Sequence, residues 1–288
     1  MKKIMVLGSV GMLGHMVYHY LKSLNKYNMV DASFPVKLHE GSKLLNVTQA
    51  EELERYITAE KPDVILNCIG ILLKGSGTDP SNAIYLNGYF PHQLAKILRK
   101  SGGRLIHMST DCVFSGEKGG YTENDFRDAD DTYGRSKAIG EVINDIDITL
   151  RTSIIGPELK QNGEGLFHWF MKQQGEINGF TKMIWGGVTT LELAKVIDAA
   201  IEQEITGLIH ITNGIPVSKF EMISLFKEIW NKNDITIHSV EGKSADKSLK
   251  SLRTDFHYSV PTYRVMFGEL FDWMEKHPDL YAQYFRQQ

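Results

Sequence analysis

The chain has 288 residues, of which 42% are hydrophobic and 23% charged, with 26 Gly and 8 Pro. This composition is typical of a globular protein and excludes a disordered or fibrous one. Lys and Arg together number 32 against 35 for Asp and Glu, which gives a net charge of −3. No overall positive field therefore attracts nucleic acid, and we expect no nucleic-acid partner.

Neither a disulfide framework nor a membrane span is predicted. Cys68 and Cys112 are the two cysteines, and both lie in apolar runs, where a reduced buried thiol is the common state. The longest apolar run, 64–73, is interrupted by an Asn and a Gly and is about half the length needed to cross a bilayer. The apolar residues before Gly8 are too few for a signal peptide. We expect a cytoplasmic protein with no membrane partner.

The first half of the chain alternates short β-type runs with amphipathic helical stretches. Such alternation is typical of βα units that build a parallel sheet with helices on both faces. The predicted strands are Lys3–Leu7, Met29–Phe34, Lys43–Val47, Val64–Ile69, Arg104–Ser109 and Ile148–Thr152. The predicted helices between them are Met12–Leu24, Ala50–Glu60, Asn82–Lys100 and Tyr133–Asn144. The pattern predicts an α/β fold with a doubly wound parallel (Rossmann) sheet.

Beyond about residue 156 the pattern loosens. The predicted elements there are the helices Leu166–Gln174, Thr190–Glu202, Ser218–Trp230 and Met266–Lys276 and the strand Leu208–Thr212. We assign residues 1–155, with a return segment at about 188–212, to the sheet domain. Residues 156–187 and 213–288 are assigned to a smaller C-terminal α+β lobe.

The first predicted strand runs directly into a glycine-rich turn. Gly8, Gly11 and Gly14 follow it at intervals of three and precede a helix, whose N-terminal amides can approach a pyrophosphate. The spacing differs from the commonest dinucleotide fingerprint, and glycine triplets recur by chance, so a plain turn stays an alternative.

The second predicted strand bears on the choice between NAD and NADP. An acidic residue at its end favours NAD, because it hydrogen-bonds the ribose 2′-OH, whereas a basic residue accommodates a 2′-phosphate. Asp31 falls in the middle of this strand, and the end offers Ser33, Phe34 and, further on, Lys37. The sequence slightly favours NADP(H), with NAD(H) as the alternative.

Chemically active side chains follow the fifth strand. Ser109-Thr110-Asp111 stand at the carboxyl edge of the sheet, where open α/β folds bind ligands, although a capping role is the alternative. Tyr133 and Lys137 are i and i+4 on one helix, where an ammonium favours the phenolate and lowers the pKa of the phenol. Tyr18 and Lys22 have the same spacing but lie on the helix after the glycine turn, away from this edge. Chain order therefore selects the later pair.

Two further clusters have structural interpretations. His15 and His19 are i and i+4, but no third ligand is evident, so we predict helix-surface histidines and no metal site. The aromatic run 167–171 offers rings on which a sugar could stack, but packing in the core of the smaller lobe is the favoured interpretation.

The chain resembles the extended short-chain dehydrogenases/reductases in landmarks that occur in the same order: the glycine turn, Leu66–Gly70, Asn87, Ser109–Gly116 and Tyr133–Lys137. Within that superfamily it is most similar to the dTDP-4-dehydrorhamnose reductase family, and the likeness extends to Leu150–Ser153 and Gly207–Gly214. The resemblance implies NAD(P)H-dependent reduction of a 4-keto-6-deoxy sugar on a nucleoside diphosphate, for synthesis of cell-surface polysaccharide precursors. Hydride would pass to C4, and Tyr133 would protonate the developing alkoxide.

The resemblance also implies residue roles. Thr110 would donate a hydrogen bond to the keto oxygen, and Lys137 would hold the nicotinamide ribose and lower the Tyr133 pKa, so that these three residues are catalytic. The substrate would contact Thr110, Asp111, Val113 and Tyr133. The cofactor would contact Tyr133 and Lys137 together with Gly8, Val10, Gly11, Met12, Leu13, Asn46, Val47, Cys68, Ile69 and Gly70. The sheet domain would bind NAD(P) and the smaller lobe the nucleotide sugar, in a chain for which a homodimer is an open prediction.

Departures from the family pattern leave the substrate open. Family members usually have an aromatic residue after Ser-Thr-Asp and a Trp after Arg-Thr-Ser, where this chain has Cys112 and Ile154. The substrate is therefore either dTDP-4-dehydrorhamnose or a UDP-2-acetamido-4-keto-6-deoxyhexose. Cys112 also argues against a related 4,6-dehydratase, which has Glu there. A nucleotide-sugar epimerase and a non-catalytic cofactor-binding regulatory subunit, similar to the β subunit of methionine adenosyltransferase, stay open as alternatives.

Overall fold

The computed structural model of the chain describes residues 1–285. The elements of its first half are β1 Lys3–Leu7, α1 Met12–Ser23, β2 Asn28–Ser33, β3 Lys43–Leu44, α2 Ala50–Glu60, β4 Val64–Asn67, α3 Leu73–Thr78, α4 Pro80–Ala83, α5 Phe90–Arg99, β5 Arg104–Ser109, α6 Thr132–Ile139 and β6 Ile148–Arg151. A π-helical segment, Ile84–Tyr89, joins α4 to α5, and a 3-10 turn covers Asp111–Val113.

The second half has shorter strands and more irregular order. Its elements are β7 Ile154–Ile155, α7 Leu166–Met171, β8 Gly175–Phe180, β9 Met183–Trp185, β10 Val188–Thr189, α8 Thr190–Gln203, β11 Gly207–His210, β12 Val217–Ser218, α9 Lys219–Ile229, β13 Ile235–Val240, β14 Ala245–Asp246, α10 Tyr263–Lys276 and α11 Pro278–Phe285.

A seven-stranded sheet forms the centre of the molecule, in the order β11-β6-β5-β4-β1-β2-β3 with every neighbouring pair parallel. The chain builds outward from β1 to β3 and then crosses back to β4, so the order reverses between β1 and β4. In open α/β sheets a ligand crevice forms at this switch point, outside the carboxyl ends of the strands. The predicted doubly wound sheet is confirmed, and the strand predicted at 208–212 does return to it beside β6.

Alternate side chains of β1 enter two different cores. Met5 and Leu7 pack against α2 and α5, whereas Ile4 and Val6 pack on the side of α1 and α8. Each fully buried side chain of this size contributes about 1.5–3 kcal/mol through removal from water. The core on the side of α1 and α8 continues to Phe226 on α9, so the central sheet and this later helix share one apolar interior.

Two predicted helices differ from the observed ones. The helix predicted at 133–144 ends at Ile139, with Gly140 as its C-cap, and the chain passes so close to the π segment there that a Cβ on Gly140 would lie 1.8 Å from the carbonyl oxygen of Asn87. The helix predicted at 82–100 contains that π segment, a feature often found beside functional sites.

The surface position predicted for His15 is wrong. The imidazole is fully buried beneath α11, where Nε2 lies 3.2 Å from the hydroxyl of Tyr281 and Nδ1 donates to the carbonyl oxygen of Gly11. The core interpretation of the aromatic run is confirmed for Phe167 and Phe170, which are fully buried against Phe226, whereas Trp169 is exposed. No helix within residues 1–285 has the length and apolar character to span a membrane.

Candidate active site

A cleft of about 540 Å³ opens at the carboxyl ends of the central strands. The sequence-predicted residues that line it are Val10, Gly11, Met12, Leu13, Cys68, Ile69, Gly70, Thr110, Asp111, Tyr133 and Lys137. The fold thus brings the glycine turn, the end of β5 and the Tyr–Lys pair to one cavity. This convergence could be predicted because the carboxyl ends of parallel strands share one edge.

Four predicted contact residues lie outside this lining. Gly8 is the first residue of the glycine turn, and its N–H donates to the carbonyl oxygen of Ala32 at 2.8 Å. Val47 is buried in the core on the α2 side, and the side-chain oxygen of Asn46 accepts from the backbone N–H of Thr48. Val113 is fully buried in a small apolar cluster with Phe114, Tyr121 and Leu249.

The glycine turn has the shape of a phosphate cradle. Gly8 has a φ of +84°, which side chains rarely adopt, and a Cβ on Gly14 would lie 2.1 Å from the carbonyl oxygen of Gly8. Helix α1 begins just after Gly11, and no side chain caps its first N–H groups. Free amides and the positive end of the helix dipole therefore border the cleft, an arrangement that fits the pyrophosphate of a dinucleotide.

Thr110 directly follows β5 and has an extended backbone conformation. Its Oγ1 caps the following 3-10 turn by accepting from the N–H of Cys112 at 3.1 Å, so the capping interpretation describes one of its contacts. The same hydroxyl donates to Oδ1 of Asp111 at 3.2 Å. Burial raises the pKa of Asp111, and the nearby Lys247 ammonium opposes this effect.

Tyr133 and Lys137 lie in the first turns of α6. The side chain of Asp131 caps this helix by accepting from the N–H of Gly134, and a Cβ on Gly134 would lie 2.3 Å from the carbonyl oxygen of Cys112. Glycine at this position therefore lets α6 press directly against the segment that follows Thr110. This contact places Tyr133 near the Thr110 hydroxyl, which acts to lower the pKa of the phenol.

The sequence predicts that Lys137 lowers the pKa of Tyr133, but the pKa of Tyr133 is raised overall. Although the ring partly faces the cleft, burial raises the pKa of Tyr133, with the nearby Cys112 acting in the same direction. Burial lowers the pKa of Lys137 to about 8, against the opposing effect of Glu141 and Cys68. The phenol therefore keeps its proton at neutral pH, which suits a proton donor.

The other side of the cleft is formed by residues that the sequence analysis did not select as site residues. They are Thr152–Ile154, Glu158–Lys160, Asn162, Glu164 and Gly165. Glu158 accepts from the N–H of Gly165 at 2.6 Å, and its own N–H donates to the hydroxyl of Tyr284 at 2.8 Å. Thr152 and Ser153 could have been selected from the sequence, because they directly follow β6. The loop at 158–165 offered only its glycines as a sign of a binding segment.

The segment after β4 is fixed by Asn87, one of the landmarks of the resemblance. Its side-chain oxygen accepts from the N–H of Ile71 at 2.8 Å, and its amide donates to the carbonyl oxygen of Ile71 and to Ser136 Oγ. Asn87 therefore ties one wall of the cleft to α6.

The family model described as "RmlD substrate binding domain" matches residues 1–255. The chain belongs to this family. The family has the Rossmann fold of the extended short-chain dehydrogenases/reductases and belongs to the NAD(P)-dependent oxidoreductases. The glycine turn and the Tyr–Lys pair of this chain fit that class.

Curated relatives include several reductases. A dTDP-4-keto-6-deoxy-D-glucose reductase of Streptomyces niveus is 26% identical over 223 residues, which cover 73% of this chain and 72% of that protein. A probable low-salt glycan biosynthesis reductase of Haloferax volcanii is 30% identical over 161 residues, which cover 52% of this chain and 52% of that protein. The methionine adenosyltransferase 2 subunit beta of Rattus norvegicus is 28% identical over 49% of this chain and 42% of that subunit.

Solved structures share the fold over nearly the whole chain. The dTDP-4-dehydrorhamnose reductase of Bacillus anthracis str. Ames in complex with NADP has a TM-score of 0.81 at 20% identity, and the match covers 95% of this chain and 99% of that one. A UDP-N-acetylglucosamine 4-epimerase from Methanobrevibacter ruminantium M1 has a TM-score of 0.78 at 14% identity, covering 96% and 99%. At these identities the likeness establishes the fold alone.

Proposed function

We propose that this protein uses NADPH to reduce the C4 carbonyl of a 4-keto-6-deoxy sugar carried on a nucleoside diphosphate. The observation that carries the proposal is that Thr110, Tyr133 and Lys137 line the same cleft as the glycine turn. The reductases among the curated relatives support the substrate class, although dTDP-4-dehydrorhamnose and a UDP-2-acetamido-4-keto-6-deoxyhexose both fit it. The product would enter the synthesis of a cell-surface polysaccharide.

The bound nicotinamide would supply the hydride. Tyr133 holds a proton on its hydroxyl and donates it to the oxygen that becomes an alkoxide, which is more basic than the phenol even with its raised pKa. Thr110 has a neutral hydroxyl near Tyr133 that would turn its proton from Asp111 to the same oxygen, a type of contact that stabilises developing negative charge. Lys137 would hold the nicotinamide ribose from its buried position on α6.

The environment of Asp31 supports NADPH over NADH. Its carboxylate is almost fully buried, accepts a hydrogen bond from Ser9 Oγ and lies 3.1 Å from His39 Nε2. An acidic group engaged within the protein is unavailable to the ribose 2′-OH that NAD presents. Lys37 is exposed beyond the end of β2 and can approach a 2′-phosphate.

Three expectations from the sequence accompany this proposal. The division into a cofactor domain at 1–155 with 188–212 and a substrate lobe stays a prediction, as does the homodimer. The free thiols of Cys68 and Cys112 suit the reducing cytoplasm that we propose as its location.

The proposal is tested by following the absorbance of NADPH or NADH when the protein meets each candidate sugar. The sugars are dTDP-4-keto-6-deoxyglucose treated with a 3,5-epimerase and UDP-4-keto-6-deoxy-N-acetylglucosamine. The key variant is Tyr133→Phe, and Tyr18→Phe is its matched control because Tyr18 has the same spacing to a lysine, Lys22, whose ammonium lies 5.4 Å from its ring.

We expect oxidation with one sugar by the wild type and by Tyr18→Phe, but not by Tyr133→Phe. Absence of oxidation with both sugars would contradict the substrate assignment. In that case, tightly bound cofactor with interconversion of sugar epimers would indicate an epimerase. A stable complex with another protein and no turnover would indicate a regulatory subunit.

A further inference from the structure

A fully buried carboxylate lies behind the proposed catalytic residues. Glu141 follows the end of α6, and its side chain has no exposed surface. It accepts hydrogen bonds from Ser109 Oγ at 2.6 Å, from Nε and Nη2 of Arg151 at 2.7 and 2.6 Å, and from Nη1 of Arg127 at 2.8 Å. All its accepting capacity is thus used within the protein.

The partners of this carboxylate occupy the ends of adjacent strands. Ser109 is the last residue of β5, directly before Thr110, and Arg151 is the last residue of β6. Arg151 also donates from Nη1 to Nε2 of His210, the last residue of β11, at 2.7 Å. One charged network therefore joins α6 to the carboxyl ends of three neighbouring strands.

His210 takes part in this network as a neutral ring. Burial, with the Arg151 guanidinium beside it, lowers the pKa of His210 to about 4. Its Nδ1 faces the carbonyl oxygens of Tyr121 and Lys250 at 3.1 and 3.0 Å, so Nδ1 carries the proton and Nε2 accepts from Arg151. Every charge in the centre of the network is consequently paired or hydrogen-bonded.

Stability alone is a weak reason for such a network. The desolvation of a buried ion pair offsets most of its Coulombic gain, and apolar residues of similar volume are often as stable. A bidentate guanidinium–carboxylate pair, however, fixes the relative position of the elements that carry it. Here those elements are β6 and the segment that ends the Tyr133–Lys137 helix, and the hydrogen bond from Ser109 adds the end of β5, which leads to Thr110.

We propose that Glu141 is a positioning residue, whose carboxylate locks the Tyr133–Lys137 helix against the ends of β5 and β6 and sets the electrostatic environment of Lys137. The inference rests on the proposed function, because it assigns Glu141 a role through residues proposed to be catalytic. Glu141 itself is not among the residues that line the cleft.

The groups that face Lys137 come from three elements. Burial favours the neutral amine of Lys137, whereas Glu141, just beyond the end of the same helix, favours the ammonium, and Cys68, beyond β4, would favour it only as a thiolate. His107 on β5 is also nearby, but burial and the Lys137 charge keep its pKa well below the usual range, so it adds no charge. The carbonyl oxygen of Met108 accepts from Nζ. Since burial also keeps Cys68 as a neutral thiol at ordinary pH, Glu141 is the ionised partner among these groups.

The test measures the titration midpoint of Lys137 by NMR of protein labelled at lysine Cε, with Lys137→Met to assign the resonance. Glu141→Gln keeps the shape of the side chain and removes its charge. We expect the midpoint to fall by about one pH unit, since loss of a nearby opposite charge disfavours the ammonium. With a sugar substrate, kcat should fall about tenfold and the alkaline limb of its pH profile should shift the same way, while KM changes less than about twofold.

Arg127→Gln gives the opposite shift and leaves the buried Arg151 in place. It removes a half-exposed cation from the same carboxylate, so the field of Glu141 at Lys137 grows and the midpoint should rise. This variant keeps the proposal falsifiable if Glu141→Gln is too unstable to study. A midpoint that falls or stays constant in Arg127→Gln would overturn it.

Asp147→Asn is the matched control. Asp147 is also a fully buried carboxylate paired with an arginine, Arg99, but it lies at the amino end of the sheet, where Oδ1 accepts from the N–H of Leu105 at 2.8 Å. We expect lower stability and an unchanged Lys137 midpoint. An equal shift in Asp147→Asn, or none in Glu141→Gln, would show that Glu141 has only a structural role. Because the NMR titration needs no sugar, a failure of the proposed reaction would be seen separately, as a wild type without turnover.

Discussion

The Nζ of Lys137 donates a hydrogen bond to the carbonyl oxygen of Met108 at a distance of 2.5 Å, and the side chain is only 5% exposed. The Lys137 ammonium is thus held inside the protein, next to the last residues of β5, and burial lowers its pKa to about 8. Holding a charge there opposes folding, because the same ammonium is fully hydrated in the unfolded chain.

Lys137→Met should therefore stabilise the protein while it abolishes the reaction. In the wild type the pKa of Lys137 in the folded protein lies below its unfolded value of about 10.4. Between these two values the unfolded chain binds more protons than the folded protein, so the stability of the wild type rises with pH across that interval. At pH 7 we expect the variant to be more stable by about 1–2 kcal/mol, after allowance for the lost hydrogen bond, and the advantage to shrink towards pH 10. Urea unfolding at several pH values measures this, and a variant that is less stable at pH 7 and gains with pH would contradict it.

The glycine turn yields a second prediction. Gly14→Ala places a Cβ 2.1 Å from the carbonyl oxygen of Gly8, so the turn must open. We expect a loss of about 2 kcal/mol or more in stability and at least a tenfold increase in the Kd for NADPH. Gly268→Ala is the control: this glycine lies inside α10 with open space around it, and alanine there should add about 0.5–1 kcal/mol to stability. Fluorescence titration with NADPH and thermal unfolding check both variants, and an unchanged Kd in Gly14→Ala would contradict the cradle.

The contact between Tyr284 and the loop at 158–165 gives the third prediction. The Tyr284 hydroxyl accepts from the N–H of Glu158 and lies 2.8 Å from Nδ1 of His168, so Tyr284→Phe leaves two buried polar groups without a partner. We expect a loss of about 1–3 kcal/mol in stability and a several-fold higher KM for the nucleotide sugar, because this loop borders the cleft.

Tyr281→Phe separates this effect from general destabilisation. The Tyr281 hydroxyl contacts His15 Nε2 at 3.2 Å and lies away from the loop. We expect a similar or smaller loss of stability and an unchanged KM for the sugar. Steady-state kinetics on both variants test this difference. Equal KM values for the nucleotide sugar in Tyr284→Phe and Tyr281→Phe would show that Tyr284 does not position the loop.

The choice of cofactor gives the fourth prediction. Lys37→Ala should raise the Kd for NADPH about three- to tenfold and leave that for NADH unchanged, because only NADPH carries the 2′-phosphate. The difference should shrink at high salt, since Lys37 is exposed. Binding titrations with both cofactors measure it. An equal effect on NADPH and NADH would contradict the role of Lys37, and tighter NADH than NADPH binding in the wild type would contradict the preference itself.

Much of the fold could be predicted because local patterns determine it. The apolar run that contains β4 is buried on both faces, and such runs indicate a central parallel strand. Once the strands are parallel, Gly11, Thr110 and Tyr133 must meet at one edge, since each follows or faces the carboxyl end of a strand. Chain order alone therefore located the cleft.

Contacts between distant segments could not be predicted in this way. The sequence around α1 predicts a surface position for His15, but α11, which carries Tyr281, packs over it. Val113 follows the active-site strand in the sequence, but the 3-10 turn directs its side chain into the cluster with Phe114 and Tyr121. Glu141 lay within the predicted helix 133–144, and its partner Arg151 becomes visible only when β5 and β6 are side by side.

Transfer of deuterium from NADPH labelled at the reactive C4 position tests the central claim most directly. The protein is incubated with the labelled cofactor and each candidate sugar nucleotide, and the products are examined by NMR and mass spectrometry. The account predicts one deuterium at C4 of the 6-deoxyhexose for the wild type, and a rate lower by about 10²–10⁴ for Tyr133→Phe. Deuterium that stays in the cofactor while the sugar is epimerised, or an unaltered rate in Tyr133→Phe, would contradict it.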